Sequence, residues 1–187
     1  MKEIEVKILD IDPEVIVARL NELGAEKVEQ GMVLASIFDF PDNRIGQAGS
    51  LLRVRKIGDR TEMVLKKRIA KGEYKMMEEI ETNVADYGVA VRIFKGIGLD
   101  ETRYEKYRAT FRLGQVKFEL DKYPAIPWFM EVEAPDEDEV QAAVAKLGFS
   151  MSQTTSMDSF EVFRKYGVTS GSFKEKGESP DYDSLFK

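Results

Sequence analysis

The chain has 187 residues, 43% hydrophobic and 33% charged, with a net charge of −6. That length suits one domain with a real core, and the negative balance argues against a generic nucleic-acid binder while leaving room for a local basic pocket. With neither Cys nor His, disulfides, thiolate or imidazole metal sites and Ser-His-Asp catalysis are excluded, so any metal must be held by oxygen, as Mg²⁺, Mn²⁺ and Ca²⁺ are.

Residues 3–9 alternate, with Glu3, Glu5 and Lys7 on one face and Ile4, Val6 and Ile8 on the other, which predicts a strand. Asp12-Pro13 reads as an N-cap with Pro at the first helical position, and the stripe Val15, Ile16, Leu20, Leu23 ends at Gly24, a natural C′ residue. A short strand is expected over Leu34–Phe38, running into the turn Asp39-Phe40-Pro41-Asp42-Asn43. Leu51–Ile57 and Glu62–Arg68 form a predicted hairpin around Gly58-Asp59, followed by a strand over 78–84 and a helix from Asp86 to Lys95. A second hairpin, 103–113 and 115–122, turns at Gly114; a strand follows over 129–134, then helices over Asp136–Leu147 and 157–166. Three times an acid-x-acid strand, at Glu3-Ile4-Glu5, Glu79-Ile80-Glu81 and Glu131-Val132-Glu133, feeds a helix. Its spacing is too irregular for a solenoid. The expected organisation is one domain over 1–167 and a Ser-, Gly- and Lys-rich tail over 168–187, in which Tyr182, Leu185 and Phe186 could dock.

Ionic alternation recurs along the chain. Arg53 and Arg55 oppose Leu52 and Val54; Lys66 opposes Met63 and Leu65; Lys106, Arg108, Thr110 and Arg112 oppose Tyr107, Ala109, Phe111 and Leu113. Lys117, Glu119 and Asp121 oppose Val116, Phe118 and Leu120, and Glu131 and Glu133 oppose Met130 and Val132. A half-buried antiparallel sheet with a solvated face would also alternate. Yet the polar positions are almost purely ionic, and the signs segregate: acids at 3, 5, 119, 121, 131 and 133, bases at 53, 55, 66, 106 and 108. Closing such a sheet with its charges inward gives a barrel with an ionic lumen and helices over its apolar outer face. Divalent cations on the carboxylates and a polyanion on the bases would relieve the repulsion of like charges, and no Gly-rich phosphate loop is present, so side chains must do the cradling. On this view, replacing Arg53, Arg55 or Arg108 by Ala should weaken triphosphate binding while stability holds or rises.

These motifs, in this order, resemble the CYTH superfamily, the triphosphate tunnel metalloenzymes. Glu3-x-Glu5-x-Lys7 resembles its ExExK signature, Leu52-Arg53-Val54-Arg55 its LRxR, and Glu105-Lys106-Tyr107-Arg108 its EKxR. Asp39-x-Pro41-Asp42, Glu78–Glu81, Glu119-Leu120-Asp121, Glu131-Val132-Glu133 and Ser159-Phe160 fall in the family's order, and the likeness spans about 1–167, closest to the class IV adenylyl cyclase and thiamine-triphosphatase-like branch. Ile37 stands where the family often has Tyr, Met77 where a basic residue is common, and Ala125–Phe129 replaces the usual Leu-Gly-x-Phe. The resemblance implies an α+β fold: a closed eight-stranded antiparallel barrel, or tunnel, with helices packed outside. It implies metal on Glu3, Glu5, Glu131 and Glu133, and triphosphate on Lys7, Arg53, Arg55, Lys66, Lys106 and Arg108. Catalytic roles fall to Asp121 and Lys66, with Glu79, Glu81 and Glu119 completing the lining.

The expected function is metal-dependent hydrolysis of a triphosphate compound (inorganic triphosphate, thiamine triphosphate or ATP), with Mg²⁺ or Mn²⁺ as cofactor. Hydrolysis is preferred to the alternative, cyclisation of ATP to cyclic AMP and pyrophosphate, because it needs no base pocket. A non-enzymatic polyphosphate- or organophosphate-binding module is the third reading. No nucleic acid or membrane partner is expected, and a homodimer is a candidate assembly. The charged N-terminus lacks the apolar core of a signal peptide, so a cytoplasmic protein is expected.

Overall fold

The computed structural model describes residues 2–168 and 182–186, without the side chains of residues 2, 3, 71, 183 and 184. In chain order the elements are β1 (Lys2–Ile8), α1 (Pro13–Glu22), β2 (Glu26–Asp39), α2 (Arg44–Gln47), β3 (Ser50–Ile57), β4 (Arg60–Lys71), β5 (Lys75–Asn83) and α3 (Tyr87–Gly96). There follow β6 (Asp100–Leu113), β7 (Val116–Lys122), β8 (Phe129–Ala134), α4 (Glu137–Lys146), the two-residue β9 (Thr154–Thr155) and α5 (Ser159–Lys165). The strands run β5-β4-β3-β2-β6-β7-β8-β1, and β1 pairs back onto β5, so eight antiparallel strands close a barrel with β9 attached to β1. Closure leaves no long unpaired edge among them.

The period-2 pattern decides which way each strand faces. On β1, Ile4, Val6 and Ile8 point outward and are at most 2% exposed. They are covered by α1 through Ile16, Val17 and Leu20, and by α4 through Val140, Ala143 and Val144. Each such side chain contributes roughly 1.5–3 kcal/mol by leaving water. Asp12 starts α1 as read from the sequence, its carboxylate accepting from the Glu14 and Val15 amides. On the other side α3 lies over Phe38, Val54 and Leu99. The helix α5 carries a capping box between Asp158 and Glu161 and packs Val162 and Phe163 against Val33, Tyr123 and Phe129. Among the described residues, no helix is long and apolar enough to cross a membrane.

One expectation changes. The strand read over Leu34–Phe38 is the end of a 14-residue strand, β2. Its first three residues, Glu26-Lys27-Val28, are exposed, and a register shift lies between Lys27 and Glu29. Backbone pairing with the distal half of β6 holds this segment, so no apolar alternation marks it. The docking that the sequence allows for Tyr182, Leu185 and Phe186 is found. Tyr182–Phe186 forms a 3-10 turn whose Phe186 is buried among Tyr107, Phe111 and Trp128.

Candidate active site

The barrel encloses a cavity of about 910 Å³. Eleven of the fourteen positions expected in the site lie on its wall: Glu5, Arg53, Arg55, Lys66, Glu79, Glu81, Lys106, Arg108, Glu119, Glu131 and Glu133. Lys7 and Asp121 do not, being 1% and 0% exposed and packed behind that wall. Glu3 sits on β1 opposite Met77, and its side chain is outside the described ones.

The charges form two connected groups. In the first, Lys7 Nζ lies 2.7 Å from Glu5 Oε1 and 3.0 Å from Glu131 Oε1, while Lys75 Nζ donates to Glu5 Oε1 at 2.9 Å. Register explains this: Lys7 pairs with Glu131 and Glu5 with Glu133 across β1–β8, and Glu5 with Lys75 across β1–β5. Arg108 links this group to β7. Its Nε donates to Asp121 Oδ1 at 2.6 Å and its Nη2 to Asp121 Oδ2 at 2.5 Å, a forked contact. The same guanidinium pairs with Glu119 and reaches Glu131 Oε2 at 3.0 Å. Lys106 Nζ donates to Asp121 Oδ2 at 2.6 Å. In the second group, on β3 and β4, Glu62 meets Arg55 at 2.9 Å, Arg60 at 2.9 Å and Arg53 at 3.8 Å. Lys66 pairs with Glu79, and Lys117 with Glu133 at 2.8 Å.

The lumen therefore neutralises much of its own charge, which corrects the picture of segregated, mutually repelling signs. Bases and acids sit on neighbouring strands and reach across to one another. For Arg108 the expected effect on stability reverses: its removal would leave Asp121, Glu119 and Glu131 uncompensated. Burial pushes the Glu5 carboxyl up, but Lys7 and Lys75 more than reverse this and hold it at about 2. Glu119 is likewise raised by burial and brought to about 2 by Arg108 and Lys117. Glu131 is held well below the carboxylate range because Lys7, Arg108 and Lys106 outweigh its burial. Lys106 is lowered, as burial and the adjacent Arg108 outweigh Asp121 and Glu131.

A divalent ion fits this donor set by chemistry, since every ligand on offer is a carboxylate oxygen. Glu131 repels both Glu5 and Glu119, so the three carboxylates lie near one another, while Lys7, Arg108 and Lys106 make the net field at Glu131 positive. Among the described residues no three acids already gather as a ligand cluster; each is paired with Lys or Arg.

Sequence reading missed Lys75, Glu62, Tyr104 and Tyr123, all on the cavity wall. Glu62 and Tyr104 had a legible signal. Glu62 shares the face of Lys66, and Tyr104 that of Lys106 and Arg108, by the same two-residue alternation. Lys75 lay outside the strand expected over 78–84, whereas β5 begins at Lys75.

The fold has solved counterparts. The PH1012 protein from Pyrococcus horikoshii is 24% identical and superposes with a TM-score of 0.73 over 85% of this chain and 98% of its own. A candidate adenylate cyclase from Vibrio parahaemolyticus is 17% identical, with a TM-score of 0.76 over 87% and 97%. HpAC1 from Hippeastrum, a candidate adenylyl cyclase with a dominant triphosphatase activity, is 18% identical, with a TM-score of 0.64 over 89% and 97%. No curated protein sequence matches the chain. The family model of the CYTH domain matches residues 1–161, so this chain belongs to the CYTH family.

Proposed function

We propose that this protein hydrolyses a triphosphate compound with a divalent cation, releasing orthophosphate. The observation that carries the reading is the cavity wall itself. Arg53, Arg55, Lys66, Lys106 and Arg108 supply five cations to one enclosed space that also presents Glu5, Glu131 and Glu133. The bases would grip phosphoryl oxygens and stabilise charge that develops there. Lys66 would serve the reacting phosphate, with Glu79 holding it. Glu5, Glu131 and Glu133, with Glu3 two residues before Glu5 on the same strand, would hold Mg²⁺ or Mn²⁺, which when bound supplies Lewis-acid charge stabilisation. The burial of Lys7 and Asp121 makes them positioning residues in this reading: Lys7 orients Glu5 and Glu131, and Asp121 orients Arg108 and Lys106. The triphosphatase activity of HpAC1 on the same fold is in accord.

One observation favours the second reading, cyclisation of ATP. The cavity is larger than a triphosphate needs, and Ile37, Tyr104, Tyr123, Phe160 and Phe163 give it an apolar, aromatic sector. Such a wall could seat an organic group. The deciding measurement is a panel of inorganic triphosphate, thiamine triphosphate and ATP with Mg²⁺ or Mn²⁺, assaying orthophosphate and cyclic AMP separately. Orthophosphate from a short triphosphate should appear fastest. Cyclic AMP and pyrophosphate from ATP outpacing it would overturn the hydrolase reading.

A further inference from the structure

Tyr104 is a buried phenol on the cavity wall to which neither the sequence motifs nor the proposed chemistry gives a task. It lies on β6 two residues before Lys106 and opposite Ala35 of β2. Its ring packs on Tyr123, with centroids 5.7 Å apart. Its charged neighbours come from two strands: Arg53 from β3, and Lys106 and Arg108 from its own. All three are donors only, so none can accept the phenolic proton. Arg53 itself is incompletely satisfied. Its Nε has no hydrogen-bond partner, and its nearest carboxylate oxygen, on Glu62, is 3.8 Å away.

A cavity-wall hydroxyl that Arg53 hydrogen-bonds, with Lys106 and Arg108 on its own strand and its proton directed to none of them, is arranged to meet an anionic oxygen. We infer that Tyr104 is a binding residue of the triphosphate site, its hydroxyl donating to a phosphoryl oxygen that Arg53 and Lys106 also approach. This rests on the triphosphate reading above. Burial raises the phenol, but Arg53, Lys106 and Arg108 bring it below its ordinary value, which makes it a stronger donor. A bound anion would neutralise those cations and keep the proton on the phenol.

The test is calorimetric titration of the full chain with inorganic triphosphate, for wild type, Y104F and Y104L, with thermal midpoints measured alongside. Y104F keeps the ring and removes only the hydroxyl. A lost neutral hydrogen bond corresponds to a drop in affinity of roughly two- to tenfold, and Y104F and Y104L should lose affinity alike. Wild-type affinity in Y104F, with loss confined to Y104L, would show that Tyr104 only packs, and would overturn the inference. If Y104F fails to fold, wild-type affinity in Y104L alone would overturn it too. No binding by the wild type would bring down the triphosphate reading and this inference with it.

Discussion

Arg108 and Arg53 look alike in sequence, two arginines on ionic strand faces, but the lumen treats them differently. Arg108 is locked to Asp121, lies 3.0 Å from Glu131 and pairs with Glu119, and is buried. Arg53 has one carboxylate near it, at 3.8 Å, and an unsatisfied Nε. Removing one partner from a buried ion network costs about 3–5 kcal/mol, because the charges left behind stay buried. Arg108→Ala should therefore destabilise the protein by about that much in urea unfolding. Arg53→Ala should change stability by less than about 1 kcal/mol, yet weaken inorganic triphosphate binding about ten- to a hundredfold through a lost charge-assisted contact. Equal destabilisation by both variants, with affinity intact, would make the two arginines structural. Alternation alone reveals that both face inward; it cannot reveal their partners, because Arg108 meets Glu131 only through strand order and register. Likewise Lys7 and Asp121 are legible as inward-facing, while their burial follows from the ion pairs they make with Glu5, Glu131, Lys106 and Arg108 across strands.

Elements were most legible where period and caps agree, as in α1 with Asp12-Pro13 at its start and α4 with Asp136 at its N-cap. They were least legible where pairing or docking decides. The four-residue α2 is held by the Asp39 carboxylate, which accepts from the Phe40, Ile45 and Gly46 amides, a local contact without periodicity. The C-terminal turn is the clearer case. Trp128, one of the departures from the family pattern, packs edge-on to Tyr182 at 5.4 Å and contacts Phe186 at 5.9 Å, while Phe186 stacks on Tyr107 at 5.7 Å. Lys27 also donates to the Phe186 carbonyl. Both halves of this contact are aromatic in the sequence, but nothing local joins them. It lies on the outer face of the barrel, where Tyr107 and Phe111 point away from Lys106 and Arg108 by alternation. Phe186→Ala should thus lower stability by about 1.5–3 kcal/mol, the value of burying a Phe, and leave triphosphate turnover unchanged. Denaturant unfolding and the phosphate-release assay check the two halves; a stability equal to wild type would mean the turn contributes nothing to the barrel.

Across the whole molecule, eight strands wrap charges rather than an apolar core, which ties stability to protonation. Glu5 and Glu119 fall from 4.5 to about 2 in the folded chain, and Glu131 and Glu62 are lowered as well. The unfolded chain then binds more protons than the folded one through this window, so stability rises with pH across it. The contribution is fully present above 4.5, the ordinary value, and is lost as pH falls toward about 2. Lys7 acts at the other end: Glu131 and Glu5 raise it against its burial, so its contribution is complete below 10.5 and disappears as pH climbs beyond. Lys106 has the opposite sign, since its lowered value means that holding it charged costs stability at neutral pH. A triphosphate would relieve that cost by adding negative charge beside it. The thermal midpoint should accordingly drop steeply below pH 4.5, and added salt should rescue it little, because buried pairs are poorly screened. At neutral pH, inorganic triphosphate should raise the midpoint, and more so in wild type than in Lys106→Met. A midpoint level from neutrality down to about pH 3 would mean that the lumen carboxylates gain nothing from their partners.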